Sequence, residues 1–451
     1  MNKKLLAVAV ASALAVPGVA FAQASSVTIS GIFKVGFDSI KNDNATSTGS
    51  PTGAGNPARL NNQQVRVTDN SSRIIFSVNE NLGAGLAAIG QLDIRFAPTN
   101  SNSNFGGNTF VGLKSTQWGQ LTLGRNDLHY GAAPDDTAAK AGALQGAAIS
   151  LFDFIQVPGQ VVAATGRSTA AGVTAAGLIN AVNIPIANAT RTPNVVKYDT
   201  PVWNGFNATV AYSANPLGAQ SGDMSIPYDQ ATANAAPPAQ TVNNGYRSTR
   251  NGYAWNVRPE YRNGPLLLGY SYWMAKPDAP LFGFNAAGGT TAAAAAGSLD
   301  QRGDSLYGSY QFGGFKVGVG FNRSRVNVVS SPFPLAIGSG GRAAERDAWS
   351  LPMSYVMGPH NFVGHYTKAN NVKSGVNQAV TSGTGAYMYS LAYVYDMSAR
   401  TSLGLTYSSI HNDSYANYTY FTGNGTLGSP DATPVAGERQ QLLHLGIKHA
   451  F

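Results

Sequence analysis

Strict two-residue alternation recurs along this chain from near its N-terminus to its last residue. From Val27 to Asp38, Val27, Ile29, Phe33, Val35 and Phe37 lie on one face. Thr28, Ser30, Lys34, Gly36 and Asp38 lie on the other, with Ile32 the exception. The pattern repeats where Ile74, Phe76 and Val78 oppose Arg73, Ser77 and Asn79. It repeats again where Leu86, Leu92, Ile94 and Phe96 oppose Gln91, Asp93 and Arg95. A period of two belongs to β-strands with one apolar and one polar face. Only 12% of the 451 residues are charged, about half the usual share, and glycine is high at 52 residues. With 43% hydrophobic and 10% aromatic residues the chain is not disordered, its mean hydropathy of −0.11 excludes a bundle of membrane helices, and its glycines lack the triplet period of collagen. Cysteine is absent, which excludes disulfide frameworks, thiol catalysis and cysteine-held metals.

The first residues carry an export signal. Met1-Asn2-Lys3-Lys4 is a basic start, Leu5–Val16 is apolar, Pro17-Gly18 breaks the run, and Ala20-Phe21-Ala22 fits a signal-peptidase site. Residues 1–22 are therefore expected to be a leader, and residues 23–451 one mature domain. Losing Lys3 and Lys4 lowers the formal charge from +8 to +6. After Ala22 no run is long and apolar enough for a membrane helix. Residues 170–189 come nearest, but Asn180, Asn183 and Pro185 interrupt them. An exported chain of this kind is a soluble β-protein or a β-barrel.

Turn spacing favours the barrel. Seven short turns lie near residues 81–84, 116–119, 201–205, 263–265, 313–314, 358–359 and 398–400. Eight long polar connections lie near 41–62, 98–106, 127–190, 215–250, 277–302, 330–345, 371–385 and 413–437. Fifteen connections imply sixteen strands. An even strand number, with short turns at one end and long loops at the other, is the layout of an outer-membrane barrel. The terminal stretch from Glu438 closes on an aromatic residue. In it Leu443, Leu445, Ile447 and Phe451 share a face with His449 between them, and Leu442, His444, Gly446 and Lys448 share the other.

Six segments spread in order along the chain carry a further signal: Ser26-Val27-Thr28-Ile29-Ser30-Gly31, Asn79-Glu80-Asn81-Leu82-Gly83-Ala84-Gly85-Leu86, Phe110-Val111-Gly112-Leu113, Gly119-Gln120-Leu121-Thr122-Leu123-Gly124-Arg125, Asn194-Val195-Val196-Lys197-Tyr198-Asp199-Thr200-Pro201 and Ile447-Lys448-His449-Ala450-Phe451. In these segments the chain resembles the trimeric general porins of Gram-negative outer membranes, most closely those of β-proteobacteria. The resemblance implies an all-β fold, a 16-stranded antiparallel transmembrane β-barrel with an inward-folded third loop, here roughly residues 127–190. It also implies homotrimers in the outer membrane, contact with lipopolysaccharide, and passive diffusion of ions and small hydrophilic solutes. Phe451 resembles the family's signal to the barrel-assembly machinery. The loop exceeds the usual length by an Ala/Gly-rich part, roughly residues 162–183.

Selectivity in such a pore comes from its width and from fixed charges at the constriction. Alternation places Lys34 and Arg73 on the lumen side. The resemblance implies Arg125 and Arg191 as further basic constriction residues, and Asp135, Asp136 and Asp153 on the third loop as the acidic ones. Alternation alone would turn Arg125 toward lipid. Asn108 stands where some anion-selective relatives carry Arg, and Lys34 where relatives often carry Asp. The basic wall and the mature charge of +6 predict a weakly anion-selective pore.

Other classes find little support. His129, His360, His365, His411, His444 and His449 are scattered without a metal-binding spacing, so neither cofactor nor metal is expected. Nucleophile elbow and P-loop are absent, and Gly318-Val319-Gly320 lacks the third glycine of a dinucleotide turn. Dispersed Lys and Arg exclude a nucleic-acid interface. His411 with Asp413 is the nearest approach to a rim-type hydrolase, and a secreted non-channel β-protein is the other remote alternative. A substrate-specific channel for sugars or carboxylates is the main alternative, with Tyr130, Phe152, Phe154 and Tyr198 as stacking candidates.

Overall fold

A bilayer offers no hydrogen bonds to the backbone, so strands can cross it only when every edge is paired. The computed structural model satisfies this with a closed barrel of sixteen antiparallel strands. It describes residues 26–44, 63–99, 103–129, 182–183, 189, 191–214, 216, 252–276, 281–284, 290–295, 298–330, 342–375, 379–380, 382–416, 418–420 and 437–451. The first strands are β1 (Ser26–Asp43), β2 (Gln63–Asp69 continued by Arg73–Gly83), β3 (Leu86–Phe96), β4 (Thr109–Ser115) and β5 (Gly119–Asn126). After the third long connection come β6 (Thr192–Asp199), β7 (Phe206–Ser213), β8 (Tyr253–Asn263) and β9 (Leu266–Lys276). Three long neighbouring strands follow, β10 (Ser298–Phe312), β11 (Phe315–Ser330) and β12 (Arg342–Met357). The chain ends with β13 (His360–Ala369), β14 (Ala386–Asp396), β15 (Thr401–Asn412) and β16 (Arg439–Ala450). Each strand pairs with its neighbours in sequence, and β1 closes on β16 from Ile32↔Ala450 to Asp43↔Arg439.

Two long connections were expected to run to residues 302 and 345. The strands instead begin at Ser298 and Arg342. Their first residues are polar, so composition alone suggests a loop. Pairing continues there because ion pairs on the outer face tie neighbouring strands. Arg325 bonds Asp304 (2.7 Å), and Arg323 bonds Asp347 through both oxygens (2.6 and 2.9 Å). In a separate three-stranded sheet, Leu281–Phe284 pairs with Thr290–Ala295 and with Val182–Asn183. The end of the Ala/Gly-rich stretch in the third connection thus meets the fifth.

Strand β14 shows how alternation builds the wall. Tyr387, Tyr389, Leu391, Tyr393 and Tyr395 point outward, whereas Met388, Ser390 and Val394 are buried on the inner side. Tyrosines occupy both ends of the outer face and leucine its middle. Tyr387 stacks on His411 at one end (4.5 Å between centroids), and Tyr393 packs on Phe362 at the other (5.2 Å). Eight residues of strand cover about 26 Å, or about 20 Å of height at a tilt near 40°, which suits an apolar band between two aromatic girdles.

Leu391→Arg puts a cation at the middle of this band. It is expected to lower barrel stability by about 2–4 kcal/mol. Guanidinium unfolding of the protein in lipid vesicles measures the loss, and a variant as stable as the parent would mean this face does not contact lipid.

Candidate functional site

The lumen site begins with an irregularity in β2. Strand β1 pairs with Asp69 through Val35 and with Arg73 through Ile32, so Phe33 and Lys34 face three residues, Asn70, Ser71 and Ser72. The extra residue makes a β-bulge, which re-aims the side chains beside it. Polar residues at this point can hydrogen-bond their own backbone in place of the ladder. The Asp69 carboxylate accepts the N–H of Ser71 and of Ser72 (3.0 Å each). Asn70 N–H donates to the Lys34 carbonyl (2.8 Å), and Lys34 N–H donates to the Ser72 hydroxyl (3.0 Å). Ser71 takes a φ of +77°, a left-handed conformation that costs a non-glycine residue on the order of 1 kcal/mol.

This bulge gathers two guanidiniums. Arg73 Nε donates to the Ser71 carbonyl (3.2 Å) and its Nη2 to the Ser71 hydroxyl (3.4 Å). Arg95 of β3 donates to the same hydroxyl through Nη1. Arg95 is also held by Asp93 through two bonds (2.7 and 2.8 Å). A side chain at Gly107 would collide with that carboxylate. Arg73 lies in the field of Arg95, Asp93, Asp127 and Arg191, and Lys34 in that of Arg73, Lys448 and Asp69.

The neck of the third connection is fastened nearby. Asp127 N–H donates to Asn108 Oδ1 (3.0 Å) and its carboxylate accepts Asn108 Nδ2 (2.9 Å). That carboxylate also accepts the Arg191 N–H (2.6 Å), and Leu128 N–H donates to the Ala189 carbonyl (3.2 Å). Departing and returning chains are thereby joined. Leu128 and Ala189 are buried with Val195, Ala211, Ala254, Trp273 and Ala275, all on the inner wall. His129 reaches the inner hydroxyls of Ser271 (2.9 Å) and Ser305 (3.4 Å). Full burial pushes its ring down to about 3, so it is neutral at ordinary pH.

The seam supports the bulge from its other side. His444 of β16 lies 2.6 Å through Nδ1 from Asp38, whose second oxygen accepts the Thr68 hydroxyl (3.0 Å). Asn70 of the bulge meets His444 Nε2 at 3.3 Å. Both Asp38 and His444 are fully buried. The ring fits because Gly36 has no side chain; a Cβ there would lie 2.0 Å from it.

Of the sequence candidates, Lys34, Arg73 and Arg191 meet in one region. Arg125 pairs with Thr109 beside a register shift between Gly124 and Asn126. Asp135, Asp136, Asp153, Tyr130, Phe152 and Phe154 lie outside the described residues. Tyr198 bonds the Trp118 carbonyl (2.6 Å) at the short-turn end, on the outward face with Val196. His411 stacks on Tyr387 outside the wall. Phe451 exchanges both backbone hydrogen bonds with Gly31 (3.1 Å each), and its ring lies 5.7 Å from Phe33. The residues not singled out from sequence are Asp69, Arg95, Asp127 and, as a pore charge, Lys448. Alternation already put Arg95 and Lys448 on the polar face. The bulge that unites them had only Asp69-Asn70-Ser71-Ser72, a turn-forming cluster, as its signal.

A closed wall with an apolar exterior, a polar interior and charges gathered in its lumen defines an outer-membrane channel rather than an enzyme. The Gram-negative porin profile matches residues 7–415, and the chain belongs to that family. An outer membrane porin of Bordetella pertussis is 27% identical over 475 aligned positions that cover all of both chains. The anion-selective porin of Comamonas acidovorans superposes with a TM-score of 0.60 at 18% identity, over 95% of this chain and all of that one. OmpT, an outer membrane protein of Vibrio cholerae, gives 0.56 at 13% identity over 95% and 98%. The protein is a porin of the Gram-negative outer membrane.

Two outcomes follow from this geometry. Asp69→Ala strips two backbone N–H groups of their acceptor and should lower stability by about 1–3 kcal/mol, read by denaturant unfolding. Ser71→Gly relieves the left-handed backbone but removes the hydroxyl that both guanidiniums bond, so it should also lower stability, by less than Asp69→Ala. For His129 the folded value lies below the unfolded 6.5. The unfolded form therefore takes up the proton first, and anchorage is lost as pH falls from 6.5 toward 3. Protease cleavage in the third connection should accelerate on acidification, and His129→Gln should abolish that dependence.

Proposed function

We propose that the pore passes ions and small hydrophilic solutes passively with a weak preference for anions, and that its constriction wall is the cluster of Lys34, Arg73, Arg95, Arg191 and Lys448. The observation that carries this reading is the convergence of Arg73 and Arg95 on one lumen-side hydroxyl. Like charges repel, and water or a passing anion is the natural compensation in a low-dielectric funnel. The acidic groups nearby have other duties. Asp93 binds Arg95, Asp69 caps the bulge, and Asp127 ties the neck of the third connection. That neck meets the inner wall through Leu128 and His129, which supports an inward course for the third loop. Asp135, Asp136 and Asp153 would then be its acidic side and Arg125 a flanking cation.

The same reading makes the protein a homotrimer. All 21 tyrosines fall at residue 130 or later, so β1–β5 carry none. Their outer faces present Val27, Ile29, Phe33, Phe37, Val65, Val67, Val111 and Leu123. Tyrosine rings suit a lipid–water boundary. An apolar wall without them suits burial against a second protomer. One solved form of the Vibrio cholerae protein is described as a trimer. Residues 1–22 remain the export leader before the single barrel domain. Phe451, after the alternating Leu443, Leu445 and Ile447, is the part offered to the assembly machinery. Lipopolysaccharide contact would fall to the long-loop ends of the strands, where Arg302, Arg323 and Arg325 would exchange their aspartate partners for its anionic groups.

Planar-bilayer recording across a tenfold KCl gradient tests the proposal. The reversal potential should carry the sign of anion preference, and Arg73→Gln with Arg95→Gln should move it toward zero. It should also flatten at 1 M salt, where screening acts over about 3 Å. An unchanged potential in the double variant would remove the cluster from its role.

A further inference from the structure

A water-filled pore needs a polar inner face, yet the inner wall from β12 round to β1 is apolar at its long-loop end. Ala348, Ala369, Ala386, Met388, Ile410, Leu442 and Ile40 are inward-facing residues on six adjacent strands, each at most 4% exposed. A patch of this kind lowers the free energy only when something keeps water off it. The cover is on the page. Ala416, Tyr418 and Tyr420, from the chain just past β15, are buried within the same cluster, each tyrosine 1% exposed.

Polar bonds hold this arm at both ends. Asn412 accepts the Tyr418 N–H through Oδ1 (2.7 Å) and donates from Nδ2 to the carbonyls of Tyr418 (3.0 Å) and Glu438 (2.9 Å). The Tyr420 hydroxyl accepts from Ser408 (3.2 Å) and donates to the Gln440 carbonyl (3.3 Å). Tyr415 N–H donates to the Gly383 carbonyl (2.7 Å). Arg346, an inward residue of β12 that is 1% exposed, donates to the Tyr418 hydroxyl (3.0 Å) and stands 5.6 Å from its ring. The neck of the third connection covers a separate apolar patch, centred on Trp273, in the same way. Dry inner wall thus occurs where a chain segment lies on it. Ile40 is six residues nearer the long-loop end of β1 than Lys34, so the arm lies on the long-loop side of the basic cluster.

We propose that residues 413–416 and 418–420 are a fixed second constriction arm of the pore, and that Tyr418 sets the charge of the mouth by keeping Arg346 out of the ion path. This rests on the channel reading above. Two tyrosines laid against the wall narrow the entrance along β12–β1, and the Arg346 cation, covered by the Tyr418 ring, is withdrawn from passing anions.

Tyr418→Ala with Tyr420→Ala tests it in the full-length trimer, with folding checked by the heat-dependent shift of the barrel in SDS gels. Single-channel conductance should rise, and the reversal potential should shift further to the anion side as Arg346 meets the lumen. Tyr418→Phe keeps the packing and should conduct like the parent. A second measurement stands if the double variant does not fold. The chain has no cysteine, so Thr419→Cys offers a single thiol on the arm, and a charged methanethiosulfonate should lower conductance when it reacts there. Parental conductance in the folded double variant, or a modified Thr419→Cys channel that conducts as before, overturns the arm. A parent protein that is folded yet conducts nothing would instead overturn the channel reading.

Discussion

Every edge of the sheet must be paired inside a bilayer, and the β1–β16 seam is where that demand is met. Twelve residue pairs, from Ile32↔Ala450 to Asp43↔Arg439, join the ends of the chain. Without them two strands would expose unpaired backbone to hydrocarbon, each orphan group costing several kcal/mol. The seam also reaches the lumen site. His444 of β16 bridges Asp38 of β1 and Asn70 of the β2 bulge. Barrel closure and the position of Ser71, to which Arg73 and Arg95 both bond, are therefore mechanically one arrangement.

The bulge shows how a polar lumen organises charge. A regular β2 would send Asn70, Ser71 and Ser72 alternately inward and outward. One extra residue, stabilised by Asp69, lets the Ser71 hydroxyl and carbonyl serve as acceptors for guanidiniums from two strands. The carboxylates of the region are absorbed in holding backbone, arginine or loop neck. The bulge therefore brings Arg73 and Arg95 to one hydroxyl with Asp69 and Asp93 close by. The outer face at the long-loop end behaves differently, because there Arg302, Arg323 and Arg325 are matched by Asp300, Asp347 and Asp304.

Much of this was legible in the residues. Alternation identified the wall, and the spacing of turns gave its sixteen strands. The boundaries near residues 302 and 345 were misplaced because charged strand ends look like loop until their cross-strand partners are known. Lys34 and Arg73 were legible because a period of two assigns a side to each. Arg95 sat on the same polar face but became notable only beside Ser71. The seating of Tyr418 had no local signal, since a tyrosine in a polar connection resembles any exposed girdle residue. Its counterpart did leave a trace, in Ala348, Ala369, Met388, Ile410 and Leu442 occupying lumen-side positions where polar residues belong.

The sequence by itself determined what depends on near neighbours. That includes the strand period, the sidedness of each residue, the absence of a membrane helix, the tyrosine-free first five strands and the family likeness. These are properties of a pleated chain two residues long in repeat, and they survive without knowing which strands meet. Only the tertiary structure decided the bulge contacts, the tie between Asp127 and the two ends of the third connection, and the seating of Ala416, Tyr418 and Tyr420 on the inner wall. Each of these joins residues far apart in the chain, such as Arg346 and Tyr418 or Asp38 and His444. Their energy is set by the shape of the closed lumen rather than by any local preference.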